Sequence, residues 1–95
     1  MKFEEHCTES IILFGEPFEQ VHLWLDEFAG IKPYGMKHRK KRHHLAGILE
    51  VEKLYGEKAA LVARQHIISD LKMEGWQDSD HFPENENDYV NMGLF

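Results

Sequence analysis

The chain has 95 residues, a formal net charge of −6, 42% hydrophobic residues and one cysteine. This composition indicates a single globular domain near the lower size limit for an independent core, and it excludes a disordered chain. The lone Cys7 excludes an internal disulfide, and no apolar run approaches the roughly 18 residues of a membrane span. We therefore expect a cytoplasmic protein without a membrane partner.

Apolar residues recur at helical spacing in four segments, with glycine or proline at the boundaries between them. The predicted helices run from Phe3 to Phe14, from Pro17 to Ala29, from about Met36 to Tyr55, and from about Glu57 to Glu74. The fourth is apolar on two sides, which is typical of a central helix or of a dimer interface. The sequence predicts an all-α fold, a compact bundle of about four helices, and is compatible with a homodimer.

The chain divides by composition at about residue 78. Residues 1–77 form the predicted helical domain, whereas residues 78–95 are acidic and lack helical periodicity. We expect this second segment to be an extended or disordered tail, with Phe82, Tyr89, Leu94 and Phe95 as candidate docking anchors.

Two predicted helices carry a histidine followed four residues later by an aspartate: His22 with Asp26, and His66 with Asp70. Residues four apart lie on one helical face, so each pair presents a nitrogen and an oxygen in one direction. Imidazole with carboxylate suits zinc, iron, manganese or nickel. The alternative is that each aspartate only orients its histidine through a hydrogen bond. Because both pairs border apolar faces, we predict a shared metal site with these four residues as ligands.

The third predicted helix adds histidines at its basic start. His44 aligns with the apolar side of this helix and is a further predicted metal ligand, the alternative being a core histidine with satisfied hydrogen bonds. His38 is a secondary ligand candidate, and His43 is predicted to be solvated or to support a ligand indirectly. Glu52 is the candidate catalytic base acting on a metal-bound water, or else a surface ion-pair partner.

Residues 37–42 hold five of the eleven lysines and arginines of the chain. Such a run resembles a phosphate-binding patch, although a solvated helix face is the favoured interpretation. The negative net charge disfavours nucleic acid as a general partner. Gly47, inside the same helix, indicates either close helix packing or room for a ligand beside His43 and His44.

Four ordered pieces of the sequence resemble an uncharacterised family of small histidine-rich proteins from bacteria and their phages. The pieces are His6-x-x-x-Ser10-x-x-x-Phe14-Gly15, His22-x-Trp24-Leu25-Asp26-Glu27, His38-Arg39-x-x-Arg42-His43-His44-x-x-Gly47-Ile48 with Glu52 and Tyr55-Gly56, and Gln65-His66-Ile67-x-x-Asp70-Leu71. The resemblance covers residues 6–71 and implies that His6 belongs with the other histidines as a ligand candidate. Family members have a longer connection between the positions of Gly56 and Gln65, and the family has no established activity.

Two functions follow from the sequence as alternatives. The first is a metal-binding helical domain, whose more specific form is a metal-dependent hydrolase acting on a small-molecule substrate. The second is a non-catalytic interaction module, in which the histidines form a structural network and the basic run binds a protein or nucleic acid partner.

Overall fold

A computed structural model of the chain describes residues 1–29, 31 and 38–93. Its helices are α1 (Phe3–Phe14), α2 (Glu19–Leu25), α3 (Arg39–Arg42), α4 (Leu45–Tyr55), α5 (Glu57–Met73) and α6 (Glu86–Asn91). These ranges contain no strand, so the predicted all-α bundle is confirmed. No helix among the described residues is long and apolar enough to cross a membrane.

Helix α5 lies at the centre of the bundle, where it packs against α1, α2 and α4. Its buried apolar residues join those of α2 and α4 in one core, which includes Val21, Leu25, Ile48, Val51, Val62, Ile67 and Leu71. His66 and Asp70 are buried on the same helix. The polar residues with metal-ligand character are therefore built into the interior of the bundle rather than onto its surface.

The predicted continuous helix from Met36 to Tyr55 is wrong, because the chain breaks between α3 and α4. Its predicted start lies outside the described residues. His44 has an extended backbone and caps α4, its Nδ1 accepting a hydrogen bond from the Gly47 N–H at 3.1 Å. A Cβ atom at Gly47 would lie 1.9 Å from the carbonyl oxygen of Arg42. The glycine therefore serves close packing between the end of α3 and the first turn of α4.

The segment after residue 78 differs from the extended or disordered tail that we expected, and Leu94 and Phe95 lie outside the described residues. Tyr89 of α6 is fully buried, and its hydroxyl donates a hydrogen bond to the carbonyl oxygen of His43. The backbone N–H groups of residues 45 and 46 donate to the carbonyl oxygens of residues 83 and 84, at 3.0 Å each. A helix of six residues is too short to show periodicity in sequence, which explains why it was not expected.

Described cations of the basic run make ion pairs with acidic side chains of the chain itself. The pairs are Arg39 with Glu74, Lys41 with Glu86 and Arg42 with Glu27, at N–O distances of 2.9, 3.6 and 3.3 Å. The Arg42 guanidinium also lies over the ring of Trp24, 4.0 Å from its centroid. These contacts fix α3 against its neighbours, so the favoured interpretation of a solvated helix face does not describe Arg39 or Arg42.

Candidate metal centre

Side chains from α1, α2, α5 and the end of α3 meet in one buried cluster. Its members are His6, His22, Asp26, His43, His66 and Asp70. The four histidines are at most 1% exposed. Burying so many polar groups is unfavourable unless they find partners, yet Nδ1 of His6 and Nδ1 of His43 are buried without a hydrogen-bond partner among the described residues.

His66 has partners on both ring nitrogens. Its Nδ1 lies 2.8 Å from Nδ1 of His22. Its Nε2 lies 3.4 Å from Oδ2 of Asp26 and 3.3 Å from Oδ2 of Asp70. The ring therefore connects a histidine on one side with two carboxylates on the other.

Asp26 is the C-cap residue of α2, which is shorter than predicted, and it bonds to histidines from other segments. Its Oδ1 lies 3.0 Å from Nε2 of His43 and 3.3 Å from Nε2 of His38. Burial raises the pKa of this carboxyl, but hydrogen bonds from His38, His43 and His66 outweigh burial and hold the pKa well below its usual range. Asp26 is therefore an anion at neutral pH.

Asp70 is the second carboxylate of the cluster. Its Oδ1 accepts a hydrogen bond from the Met1 ammonium at 2.9 Å and lies 3.2 Å from Nε2 of His6 and 3.7 Å from Nη2 of Arg39. Its Oδ2 lies 3.5 Å from Nδ1 of His43. Burial raises the pKa of Asp70, yet hydrogen bonds from His6 and His66 lower it below its usual range. The cluster thus holds two ionised carboxylates whose Oδ2 atoms both face His66.

The histidines respond differently to this environment. Burial lowers the pKa of His22 to about 4, with added repulsion from His66. Burial likewise lowers the pKa of His43 to about 4, although the hydrogen bond with Asp26 opposes it. Burial also acts to lower the pKa of His66, but hydrogen bonds with Asp26 and Asp70 reverse this effect and raise the pKa. Positive charge is therefore favoured where Nε2 of His66 faces the two carboxylates.

Two groups in the cluster have ligand atoms that lie within 4.8 Å of one another. They are His6, His22 and His66, and, separately, Asp26, His43, His66 and Asp70. In the first group the rings of His6 and His66 are stacked, with centroids 3.6 Å apart and planes 13° apart. Since a nitrogen lone pair lies in its ring plane, stacked rings are poorly placed to share an ion, whereas the rings of His43 and His66 are perpendicular. The second group, here called the His/Asp group, is the better candidate metal centre.

Most of the predicted ligands lie in or beside the His/Asp group. Asp26, His66 and Asp70 belong to the His/Asp group. His22 and His6 contact that group at His66 and Asp70, and His38 contacts Asp26.

Two predicted site residues lie elsewhere. His44 caps α4 and is not a member of either group of ligand atoms, because the break between α3 and α4 changes its direction. Glu52 is exposed on α4, outside both groups and outside the lining of the cavity beside Asp26 and Asp70. The predicted roles of His44 as a ligand and Glu52 as a base therefore have no support in the described residues.

A cavity of about 530 Å³ reaches the His/Asp group from the carboxylate side. Its polar lining residues include Asp26, His38, Arg39, Asp70 and Glu74. A small molecule in this cavity would therefore meet the carboxylates and the Arg39 guanidinium before it met the buried imidazoles.

The sequence profile of a family described as a domain of unknown function (DUF6915) matches residues 1–87. The chain belongs to this family. The expected membership in an uncharacterised family is thus confirmed, and the match extends beyond residues 6–71 to include the start of α6. Searches of curated proteins and of solved structures returned no significant match. The DUF6915 family carries no assigned function.

His43 and Arg39 are the two site residues that sequence reasoning underrated. A continuous helix would turn His43 away from the core, which is why the sequence predicts a solvated or indirect role for it. The break falls after the helical Arg39–Arg42, so the spacing of the charged residues does not signal it. Arg39 was treated as part of a surface patch, yet it is 7% exposed.

Proposed function

We propose that this domain binds one transition-metal ion through Asp26, His43, His66 and Asp70. The observation that carries the proposal is the convergence of four ligand atoms, from three separate segments, within 4.8 Å of one another. Two imidazoles with two carboxylates form a donor set suited to zinc, iron, manganese or nickel. His66 and Asp70 lie one turn apart on α5, which is a rigid support for half of the set.

The charge of the His/Asp group supports a cation at this position. Asp26 and Asp70 are both anionic at neutral pH, and their Oδ2 atoms face the same nitrogen of His66. A divalent ion would take the place of the proton that the raised pKa of His66 favours there. It would also offset the repulsion between the two carboxylates.

The surroundings of His66 also fit those of a metal-ligating histidine. If Nε2 binds the ion, Nδ1 carries the proton and donates a hydrogen bond to Nδ1 of His22, 2.8 Å away. The other nitrogen of His22 then donates to Oγ of Ser10, at 2.8 Å. Hydrogen-bond partners of this kind fix the tautomer and orientation of ligating histidines in known metal sites.

We further propose that the bound ion supports hydrolysis of a small-molecule substrate. The cavity beside Asp26 and Asp70 gives such a molecule a route to the carboxylate side of the centre. A divalent ion there would lower the pKa of a bound water and make it a better nucleophile at neutral pH. Glu52 has no part in this proposal, because it is exposed on α4.

The alternative function, an interaction module with a basic patch, has less support from the geometry. Arg39, Lys41 and Arg42 each contact an acidic side chain of the same chain. A purely structural histidine network is the remaining competitor, and metal content separates it from the proposed metal centre.

Elemental analysis of untagged protein purified without chelators tests the proposal. Asp26→Asn preserves the shape of a ligand but removes its charge, and His66→Ala removes the central ligand. His81→Ala is the matched control, because His81 is exposed and lies outside the cluster. We expect about one equivalent of metal in wild type and control, and clearly less metal in the other two variants because each lacks a ligand.

Circular dichroism of each variant shows whether lost metal reflects a lost ligand or a lost fold. A folded wild type that contains no metal and takes up none of Zn²⁺, Mn²⁺, Fe²⁺ or Ni²⁺ would contradict the proposal. The histidine cluster would then be a structural network.

A further inference from the structure

Arg39 is buried next to the proposed metal centre and lines the same cavity as Asp26 and Asp70. Its Nη1 donates to Oε1 of Glu74 at 2.9 Å, and its Nη2 lies 3.7 Å from Oδ1 of Asp70. Its Nε is buried without a hydrogen-bond partner among the described residues. A guanidinium has five N–H donors, so Arg39 retains donors that these two contacts do not use.

Metal binding would change the charge that Arg39 meets. A divalent ion would neutralise Asp26 and Asp70 together, which weakens the attraction of Arg39 for Asp70. The remaining described partner of Arg39 is Glu74, whose side chain is 40% exposed and so is weakly held by its surroundings. The loaded site would therefore present the ion and the guanidinium to one cavity, beside the Met1 ammonium that lies 2.9 Å from Oδ1 of Asp70.

We infer that the substrate of the proposed metal centre is a phosphate ester. One phosphate oxygen would contact the ion, and two others would accept parallel hydrogen bonds from Arg39, whose planar fork matches phosphate geometry. The cavity of about 530 Å³ falls within the size range of small-molecule sites. This inference rests on the proposed metal binding.

Hydrolysis of such an ester balances without a further reactant. The oxygen of water forms a new bond to phosphorus, and the bond between phosphorus and the ester oxygen breaks. The leaving oxygen takes one proton of the water and the second stays on the phosphate, which gives an alcohol and inorganic phosphate.

Isothermal titration of metal-loaded protein with inorganic phosphate tests this inference, with acetate as the comparison anion. The variants are Arg39→Gln and Arg39→Lys, and the control is Arg64→Gln, because Arg64 is exposed and lies over the ring of Phe82. Metal content is measured on every sample. We expect Arg39→Gln to keep its metal but bind phosphate at least about tenfold more weakly, with Arg39→Lys intermediate and the control unchanged.

Several results would overturn the inference while leaving metal binding intact. They are a loaded wild type that binds no phosphate, acetate binding as tight as phosphate binding, and phosphate binding that Arg39→Gln leaves unchanged. Loss of metal from both Arg39 variants would show that Arg39 only supports Asp70, and this result would also overturn the phosphate-ester inference. A wild type that takes up no metal instead contradicts the proposed function on which the inference depends.

Discussion

The Nδ1 atoms of His22 and His66 lie 2.8 Å apart in the buried centre of the domain. In this contact one ring donates and the other accepts, so the tautomer of one histidine fixes the tautomer of the other. A metal ion on Nε2 of His66 would make His66 the donor and His22 the acceptor. The contact therefore connects α2 and α5 to the state of the proposed metal centre.

Replacing His22 with phenylalanine tests this connection. The variant keeps a flat ring but removes the nitrogen that accepts from His66, so we expect metal affinity to fall by about 10- to 100-fold. A competition titration with a chromophoric chelator measures the change. Ser10→Ala, one hydrogen bond further from His66, should lose less, and equal affinity in His22→Phe and wild type would contradict the assigned role of His22.

The stability of chelator-treated protein should depend on pH through its buried histidines. The pKa of His22 and that of His43 are lowered to about 4 in the folded state, from 6.5. Between these pH values the unfolded chain binds more protons at both residues. The free energy of unfolding should therefore fall as pH falls through this window, by roughly 1.4 kcal/mol per pH unit for each histidine.

His66 acts in the opposite sense, because its pKa is raised. Its contribution is present below a pH of about 6.5 and is lost as pH rises through its folded pKa. The two effects together give a stability maximum near neutral pH. Urea unfolding between pH 4.5 and 8 measures the free energy of unfolding as a function of pH. His43→Gln should reduce the fall in this free energy at acidic pH, whereas His81→Ala should not. Stability that increased steadily from neutral pH down to pH 4.5 would contradict two buried neutral histidines.

Gly47 should not tolerate even one added carbon. A Cβ atom there would lie 1.9 Å from the backbone carbonyl oxygen of Arg42, and backbone atoms cannot move away as a flexible side chain can. We expect Gly47→Ala to lower the free energy of unfolding by roughly 3 kcal/mol or more. Ala46→Ser, at an exposed neighbouring position, is the control and should stay within about 0.5 kcal/mol of wild type. A Gly47→Ala protein as stable as wild type would show that α3 does not pack as described.

Tyr89 should contribute to the stability of the whole domain. Tyr89→Phe removes the buried hydrogen bond to the carbonyl oxygen of His43. We expect a loss of about 1 to 3 kcal/mol in urea unfolding, because a buried acceptor that loses its donor costs free energy. Val90→Ala, at an exposed position on the same helix, should have little effect. If the two substitutions were equally mild, the segment after residue 78 would not be part of the cooperative fold.

Regular apolar spacing and terminal glycines were sufficient to predict helices α1 and α5. The bounds of α1 were predicted as observed, and α5 differs from its prediction by one residue, because both combine regular apolar spacing with a glycine at the end. The convergence of His66 and Asp70 follows directly from their spacing of one helical turn.

The remaining features depend on contacts between distant segments, which periodicity does not report. The break between α3 and α4 depends on the packing of Arg42 against Gly47 and on the cap formed by His44. It moves His43 into the cluster and His44 out of it, the reverse of the prediction from one continuous helix. The burial of Tyr89 likewise depends on a partner 46 positions away in the chain.

Anomalous X-ray scattering from crystals of zinc-loaded protein locates the ion and so tests the proposed metal centre at Asp26, His43, His66 and Asp70. We expect one strong peak about 2.0 to 2.2 Å from a nitrogen of His43, a nitrogen of His66 and an oxygen of each of Asp26 and Asp70. A peak only at a surface position such as the exposed His81, or no peak in a folded crystal grown with zinc, would contradict the buried metal centre.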